Sequence, residues 1–502
     1  MDLPVTIPML TLLEPMVTDI LICSVPAGII NRPPAALALL RACVEQAGFT
    51  CRTQDLSLNL YIEQCDKNYQ RYQDISRLFE PLTNFEMRSE ILQWLDQCVQ
   101  LFKTINPRFI GLSVFSSFQH KATVMLAQHI RQHLPDVQII VGGYGLRDNN
   151  FFATLQEKNL ADHFVHDEGE NKLVDILQDK LPSHELVNLQ TLPVPNFDDY
   201  NFDQYLWHNE PVLTITGSKG CVRACTFCNV PRTFGRYRRR TGQQIAHEMI
   251  ELQKRYGINK FEFTDSLVNG SQRDFVEFVQ CLAQYNSTSN CPISWYGQYI
   301  CRPQSQVPAG IYALIKQSGC VNLIIGAESG NNDVLAAMNK KMTAQDIMHE
   351  LEQFELHGLQ AQLLMLSGFY NETWPRFVET LTFIVKLQRY VAAGVVSRIN
   401  MGIPLMIETD GYLHQHAEDL GIIIDPNSVH NWRVHKDPTN TWLERLRRRI
   451  IVQAVFDHMN IPLTGNGIIE LYKMLDLVKI YEQQLRSPNT TIGAELAHDQ
   501  AH

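Results

Sequence analysis

The chain has 502 residues, 45% hydrophobic and 19% charged, with 43 Lys and Arg against 53 Asp and Glu and a formal net charge of −10. At about 100–200 residues per domain this length suggests three domains, and the balance excludes wholesale disorder and any need for disulfide staples. The acidic excess argues against non-specific nucleic-acid binding, and apolar runs such as Leu323–Ala327 fall far short of the ~20 residues of a membrane span.

Met1–Asp19 has no Lys or Arg ahead of an apolar run and does not read as a secretory signal. Asp19–Cys23 reads as a buried strand, Pro34–Ala47 as a helix closed by Gly48, and Thr50–Gln54 as a second strand. Residues 61–106 are polar and helical, without a metal or catalytic pattern. Phe109–Val114 predicts a strand, Lys121–His133 a helix, and Val137–Val141 a strand ending in Gly142–Gly143. A short strand, Phe164–Val165, precedes Asp167-Glu168-Gly169-Glu170. This alternation predicts a doubly wound parallel sheet over residues 1–180. Such sheets bind ligands at the carboxyl ends of their strands, where Ser113, Ser116, Ser117, Gly142, Gly143, Gly169 and Glu170 fall.

The Pro-rich residues 181–211 read as a linker. Residues 212–410 alternate again, with strands at Val212–Thr216, Lys260–Thr264, Ile293–Ile300, Asn322–Ala327, Ala361–Leu366 and Val395–Met401. Helices over 241–256, 271–285, 309–317, 343–357 and 373–390 separate them. Six βα units predict an open sheet or a partial barrel, with chemistry at the strand C-termini. Residues 411–502 read as helical, with a long helix near 467–484. Arg445 and Arg447–Arg449, beside Glu444, are expected on a solvated helix face.

Of twelve cysteines, nine stand singly and suggest a reducing, cytoplasmic compartment. The other three, Cys221, Cys225 and Cys228, fall within eight residues, in a loop after the strand Val212–Thr216 where Gly217 and Gly220 permit a tight backbone. Thiolates ligate soft metals. A structural zinc site or a ferredoxin would supply a fourth ligand, and the next histidine, His247, lies inside a predicted helix. Three thiolates without a fourth suggest a cluster with one open coordination position. A non-catalytic iron–sulfur or zinc protein is the alternative.

Cys221-x3-Cys225-x2-Cys228, with Phe227 ahead of the last cysteine, resembles the radical S-adenosylmethionine superfamily. So do Ser218-Lys219-Gly220-Cys221, the basic stretch Phe234–Arg240, Gly326-Ala327-Glu328-Ser329-Gly330 and Leu366–Thr373. The last departs from the usual G-x-P-G-E-T, with Tyr370 and Asn371 in place of Pro-Gly. The resemblance implies a [4Fe–4S] cluster on Cys221, Cys225 and Cys228, with S-adenosylmethionine on the fourth iron and cleaved reductively to a 5′-deoxyadenosyl radical. It further implies a partial (β/α)6 TIM-type barrel over 212–410 and an external electron donor such as flavodoxin or ferredoxin. Phe227, Asp265 and Glu328 are candidate cofactor contacts. Phe227 reads equally as a core aromatic, and Glu328 as a helix-start carboxylate. Arg232, Arg236 and Arg238–Arg240 are candidates to line a cofactor carboxylate or an anionic substrate.

Towards the N-terminus, Arg32-Pro33-Pro34, Ile110–Val114, Ile139–Gly143 and Gly169-Glu170 resemble, in order, the Rossmann-like cobalamin-binding domain of some of these subfamilies. The likeness spans roughly residues 15–180. It implies bound cobalamin, with Ser113, Gly142, Gly143 and Gly169 as contacts; a cofactor-free relic is the alternative. Ser24–Pro34 holds no D-x-H-x-x-G, so no histidine ligand to cobalt is expected, and His120, His163 and His166 read more readily as structural. The activity implied is cobalamin-dependent methyl transfer to an unactivated carbon of a small-molecule, lipid or peptide substrate. Radical rearrangement, cyclisation or oxidation without methyl transfer is the alternative. No general acid or base is assigned, and no nucleic-acid partner is expected.

Overall fold

The computed structural model describes residues 18–79, 89–183, 185–206, 210–402, 404–409, 411–425 and 430–461. The helix expected near 467–484 lies outside the described residues. The chain divides into two compact units, residues 1–214 with 251–260, and residues 215–250 with 261–502.

The first unit is built on five parallel strands, β1 (Thr18–Ser24), β2 (Cys51–Asp55), β3 (Pro107–Ser113), β4 (Gln138–Gly142) and β5 (His163–Val165), in the order β2-β1-β3-β4-β5. Ile20, Leu21 and Cys23 of β1 are fully buried, the near-continuous apolar run of a parallel strand covered on both faces. Leu37 and Val44 of the helix Ala35–Gln46 pack on Ile20, Ile22, Phe109 and Ile140. From β1 the chain goes to one side for β2 and to the other for β3. The topological switch point therefore lies between β1 and β3, where Ser24 and Ser113 are register partners, and Ser113 in turn pairs with Gly142. Beside them the buried Asp55 accepts from Ser24 Oγ (2.7 Å) and the Tyr205 hydroxyl (3.1 Å), and caps the next turn through the Ser57 and Leu58 N–H groups.

Among the described residues of 181–211, two 3-10 turns, Leu189–Thr191 and Phe202–Gln204, interrupt an irregular path that is pinned to this sheet. Asp199 pairs with Arg41 (2.7 Å) and Arg52 (2.8 Å) and accepts from the Thr53 N–H, while Phe197 is fully buried.

The second sheet has six strands, β6 (Val212–Ile215), β7 (Lys260–Phe263), β8 (Ser294–Tyr299), β9 (Cys320–Glu328), β10 (Ala361–Met365) and β11 (Val396–Met401), neighbours in chain order and parallel. Helices Gly242–Tyr256, Gln272–Thr288, Ile311–Gln317, Ala344–His357 and Trp374–Ala392 alternate with them, within a few residues of the expected spans. The β9–β10 register shifts between Gly326 and Glu328, and Glu328 adopts φ +62°, a conformation rare for a non-glycine residue.

After residue 411 come two short helices, a small antiparallel ribbon of β12 (Ile422–Ile424) with β13 (Trp432–Val434), and the helix Trp442–His458. The solvated arginine face expected on that helix is overturned. Arg445, Arg448 and Arg449 are 0%, 1% and 2% exposed, and only Arg447 faces solvent. Arg445, Arg448, Arg449, Val452 and Phe456 follow the i, i+3, i+4, i+7 spacing of one helix face, so the arginines stand on the apolar stripe, where carbonyl and carboxylate partners receive them. No described helix is long and apolar enough to cross a membrane.

Candidate active site

The cysteine loop leaves the carboxyl end of β6 and is held on two sides. On one side lies Asp265, just beyond β7, which accepts from the Gly217 N–H (2.8 Å) and Ser218 Oγ (2.5 Å). Its carboxyl is buried, which pushes its pKa up to about 7 against the opposing pull of those bonds and of Arg240. A two-residue antiparallel pairing, Ser218–Lys219 with Arg238–Arg239, closes the loop over itself. Gly220 sits at φ +82°, and a Cβ there would come within 3.2 Å of the Gly235 and Arg236 carbonyl oxygens, so the turn requires glycine.

On the other side is the end of the helix Asn332–Ala337. The Thr226 N–H donates to the Met338 carbonyl (3.1 Å), Thr226 Oγ1 to that of Ala337 (3.1 Å), and Asn339 Nδ2 to that of Ala224 (2.8 Å).

The three thiols are partly buried, and Cys221 lies close enough to disfavour ionisation of Cys225 and Cys228. Burial pushes Cys225 up to about 11 and raises Cys228, while the Lys340 ammonium acts in the opposite direction on both. Cys225 and Cys228 thus keep their protons near neutral pH, and a metal must displace them to bind. Lys340 Nζ lies 3.3 Å from Glu328 Oε1. Both groups press against Gly326, where a Cβ would meet the carboxylate at 2.5 Å and the ammonium at 3.0 Å.

Phe227 packs edge-on against Phe369, with centroids 6.5 Å apart, within a cluster that includes Leu405, Ile407 and Trp432. Phe369 belongs to the loop Leu366–Thr373, tied to the end of β9 by the Leu366 N–H on the Glu328 carbonyl (2.9 Å). Ser367 Oγ, Asn371 Oδ1 and Glu372 Oε1 in this loop are buried without a protein partner. Unpartnered buried oxygens are costly, and three in one loop are acceptors and donors open to a polar ligand.

The structure thus gathers Cys221, Cys225, Cys228, Phe227, Asp265 and Glu328 around one loop. Of the nearby arginines, Arg240 is buried on Glu248 (2.6 Å), Arg239 pairs with Asp274 and Arg238 is half-buried opposite Lys219, leaving Arg232 and Arg236 on the surface. Sequence reasoning missed the roles of Ser218, Asn339 and Lys340. Ser218 stood inside the Ser-Lys-Gly-Cys run, whereas nothing in the sequence marks Lys340.

In the first unit, Ser113, Gly142 and Gly143 lie together at the carboxyl edge of the sheet, with Gly169 beyond β5. Chain packing alone accounts for Gly143 and leaves little room for a side chain at Gly142 and Gly169. A Cβ on Gly143, at φ +108°, would lie 2.5 Å from the Val114 oxygen, and one on Gly142 or Gly169 would press on Val165 or Leu40 at 3.2 Å. The same edge exposes Ile29, Phe115 (73%), Phe118 and Tyr144. His120 stacks on Phe151 at 3.9 Å, and its Nε2 is buried without a hydrogen-bond partner; His163 bonds Gln138 (3.0 Å), and His166 packs on Phe152. Asp96, His129 and His133 also converge, but the 2.8 Å bond between His129 Nε2 and Asp96 already accounts for that pair.

Residues 215–384 match the family model of the radical SAM superfamily. An uncharacterized methyltransferase of Pyrococcus horikoshii is 23% identical over 314 residues, 57% of this chain and 66% of that protein. The bacteriochlorophyllide d C-12(1)-methyltransferase of Chlorobaculum tepidum is 27% identical over 225 residues, 43% of this chain and 48% of its own length. The chain therefore spans about half to two thirds of these relatives. Among solved structures, the radical S-adenosylmethionine methyltransferase TsrM of Kitasatospora setae, with tryptophan and a cofactor analogue bound, superposes with a TM-score of 0.59 at 16% identity, covering 82% of this chain and 79% of that one. That likeness is one of fold.

Proposed function

With residues 215–384 forming a radical S-adenosylmethionine domain, we propose that the protein is an enzyme that cleaves S-adenosylmethionine reductively at a [4Fe–4S] cluster. We take its reaction to be cobalamin-dependent methyl transfer to an unactivated carbon of a small-molecule, lipid or peptide substrate. The observation that carries this reading is the three-thiol loop at the carboxyl end of β6, braced by Asp265 on one side and by Ala337–Asn339 on the other. Its donor set suits a cluster with three protein ligands. When bound, the cluster supplies an electron, S-adenosylmethionine the methyl group, and cobalamin a carrier for it.

The chain's own part is to bind and orient. Cys221, Cys225 and Cys228 ligate. Glu328, beside Lys340, offers acceptor oxygens to the amino or hydroxyl groups of the cofactor. Ser367, Asn371 and Glu372 present buried polar atoms from the neighbouring loop. In the first unit, the exposed Phe115, Phe118 and Tyr144 at the sheet's carboxyl edge fit the apolar face of a corrin, and Ser113 with Gly142 keeps that edge small. An external one-electron donor and a reducing, cytoplasmic setting complete the proposal.

The test is anaerobic reconstitution with iron, sulfide and cobalamin, followed by reduction in the presence of methyl-deuterated S-adenosylmethionine. The reading expects an iron–sulfur chromophore, bound corrin and 5′-deoxyadenosine, with a labelled methyl on the eventual product. A preparation that takes up zinc only and yields no cofactor cleavage would sink it. Cleavage without corrin or label would leave radical chemistry but remove methyl transfer.

A further inference from the structure

The proposed reading gives no task to the described residues of 411–461, yet several of their buried polar contacts converge on the loop Leu366–Thr373. Arg448 donates to the Glu372 backbone carbonyl (2.5 Å), and its guanidinium lies 3.4 Å from Glu372 Oε2. That same Oε2 accepts from the Gly368 N–H (2.7 Å), so one carboxylate closes the loop while one arginine holds the carboxylate. Asn440 Nδ2 donates to the Phe369 carbonyl (3.0 Å). The aliphatic stem of Arg445 packs against Gly368, where a Cβ would come within 2.3 Å of it.

Arg445 is itself fixed. Its guanidinium stacks over the Trp432 ring (3.6 Å) and donates to the Asn440, His430 and Trp432 carbonyls. Two fully buried guanidinium groups are expensive in a core unless they secure something specific. What they secure is a loop that turns at Tyr370 and Asn371 and keeps three buried polar atoms unpartnered. Phe369 passes the constraint on to Phe227, the residue before Cys228.

We infer that the helix Trp442–His458 is a brace for this loop, with Arg445 and Arg448 as positioning residues that preset its polar atoms for S-adenosylmethionine. The helix Trp442–His458 thus adds to the stiffness that the Glu372–Gly368 bond gives the loop from within. The inference rests on the reading that this loop holds S-adenosylmethionine. The experiment uses the full chain, anaerobically reconstituted and reduced, and follows the change in the cluster's electron paramagnetic resonance signal as S-adenosylmethionine is added. In R448M, iron content is expected to stay at the wild-type level while the apparent Kd for S-adenosylmethionine rises tenfold or more, and R448K recovers part of that loss. Should R448M not fold, N440A removes the bond from Asn440 to the Phe369 carbonyl, a brace contact outside the loop, and is expected to weaken binding several-fold at unchanged iron content. Soluble, cluster-loaded variants that bind as tightly as wild type would overturn the inference alone. A wild-type cluster signal that ignores S-adenosylmethionine would remove the proposed function itself, and the inference with it.

Discussion

Ser218 Oγ stands 2.5 Å from Asp265 Oδ1 while the Gly217 N–H reaches Oδ2 at 2.8 Å, so one buried carboxylate holds both residues that lead into the cysteine loop. Both contacts are donors, and a carboxylate is the side chain that accepts from both. In D265N the amide keeps one acceptor and turns a donor towards a donor, an uncompensated buried contact worth about 1–3 kcal/mol. The loop is expected to loosen before the sheet does. Iron and sulfide bound per chain after reconstitution should fall well below wild type, with S218A milder in the same direction. Full loading of D265N would mean that the loop needs no such anchor.

Lys340 is the cation whose field Cys225 and Cys228 both feel, and it pairs with Glu328 at 3.3 Å. K340M removes a positive charge and leaves the carboxylate unbalanced beside the thiols. Both effects favour the more oxidised cluster. A redox titration should place the midpoint potential lower by on the order of tens of millivolts. An unchanged or higher potential would show that the pair is insulated from the metal site.

Much of this was legible from the sequence because periodicity and chemistry pointed the same way. The strands of both sheets fall within a few residues of their expected limits, and the cysteine spacing marked the loop that Asp265 and Thr226 hold. The buried arginines were misread for a physical reason. Charge suggests solvent, and only tertiary partners such as Glu372, far off in sequence, and the Trp432 carbonyl on the preceding ribbon reverse that expectation. Lys340 was invisible likewise, since its contact with Glu328 depends on how the turn after Ala337 folds back.

Glu350 offers a pH test away from the site. It is 1% exposed, beside the Tyr299 and Tyr312 hydroxyls, and burial pushes its pKa up to about 7. The unfolded chain releases this proton near its ordinary value of 4.5, while the fold retains it to about 7. Between those limits the native state binds more protons, so stability falls as pH rises and the full penalty is present above about 7. E350Q has no such titration. Chemical denaturation of the metal-free protein at pH 5 and pH 8 should give a stability difference smaller by about 2–3 kcal/mol in E350Q than in wild type. Equal differences would mean that Glu350 ionises at its ordinary value.

Gly143 and Phe115 share one edge of the first sheet but face different constraints, and a pair of variants separates them. Gly143 has φ +108° with the Val114 oxygen 2.5 Å from where a Cβ would be, so G143A strains the backbone and forces the chain apart. It is expected to cost about 2 kcal/mol or more, whatever ligand is present. Phe115 is 73% exposed, so F115S should change stability by no more than about 0.5 kcal/mol. If the exposed aromatic edge receives a corrin, F115S loses apolar burial only in the complex, weakening cobalamin binding by roughly tenfold or more. Equilibrium binding of cobalamin followed by absorbance, alongside denaturation of each variant, reads both quantities. A destabilised G143A together with an F115S that binds like wild type would leave the glycine explained by packing and the aromatic edge without its proposed ligand.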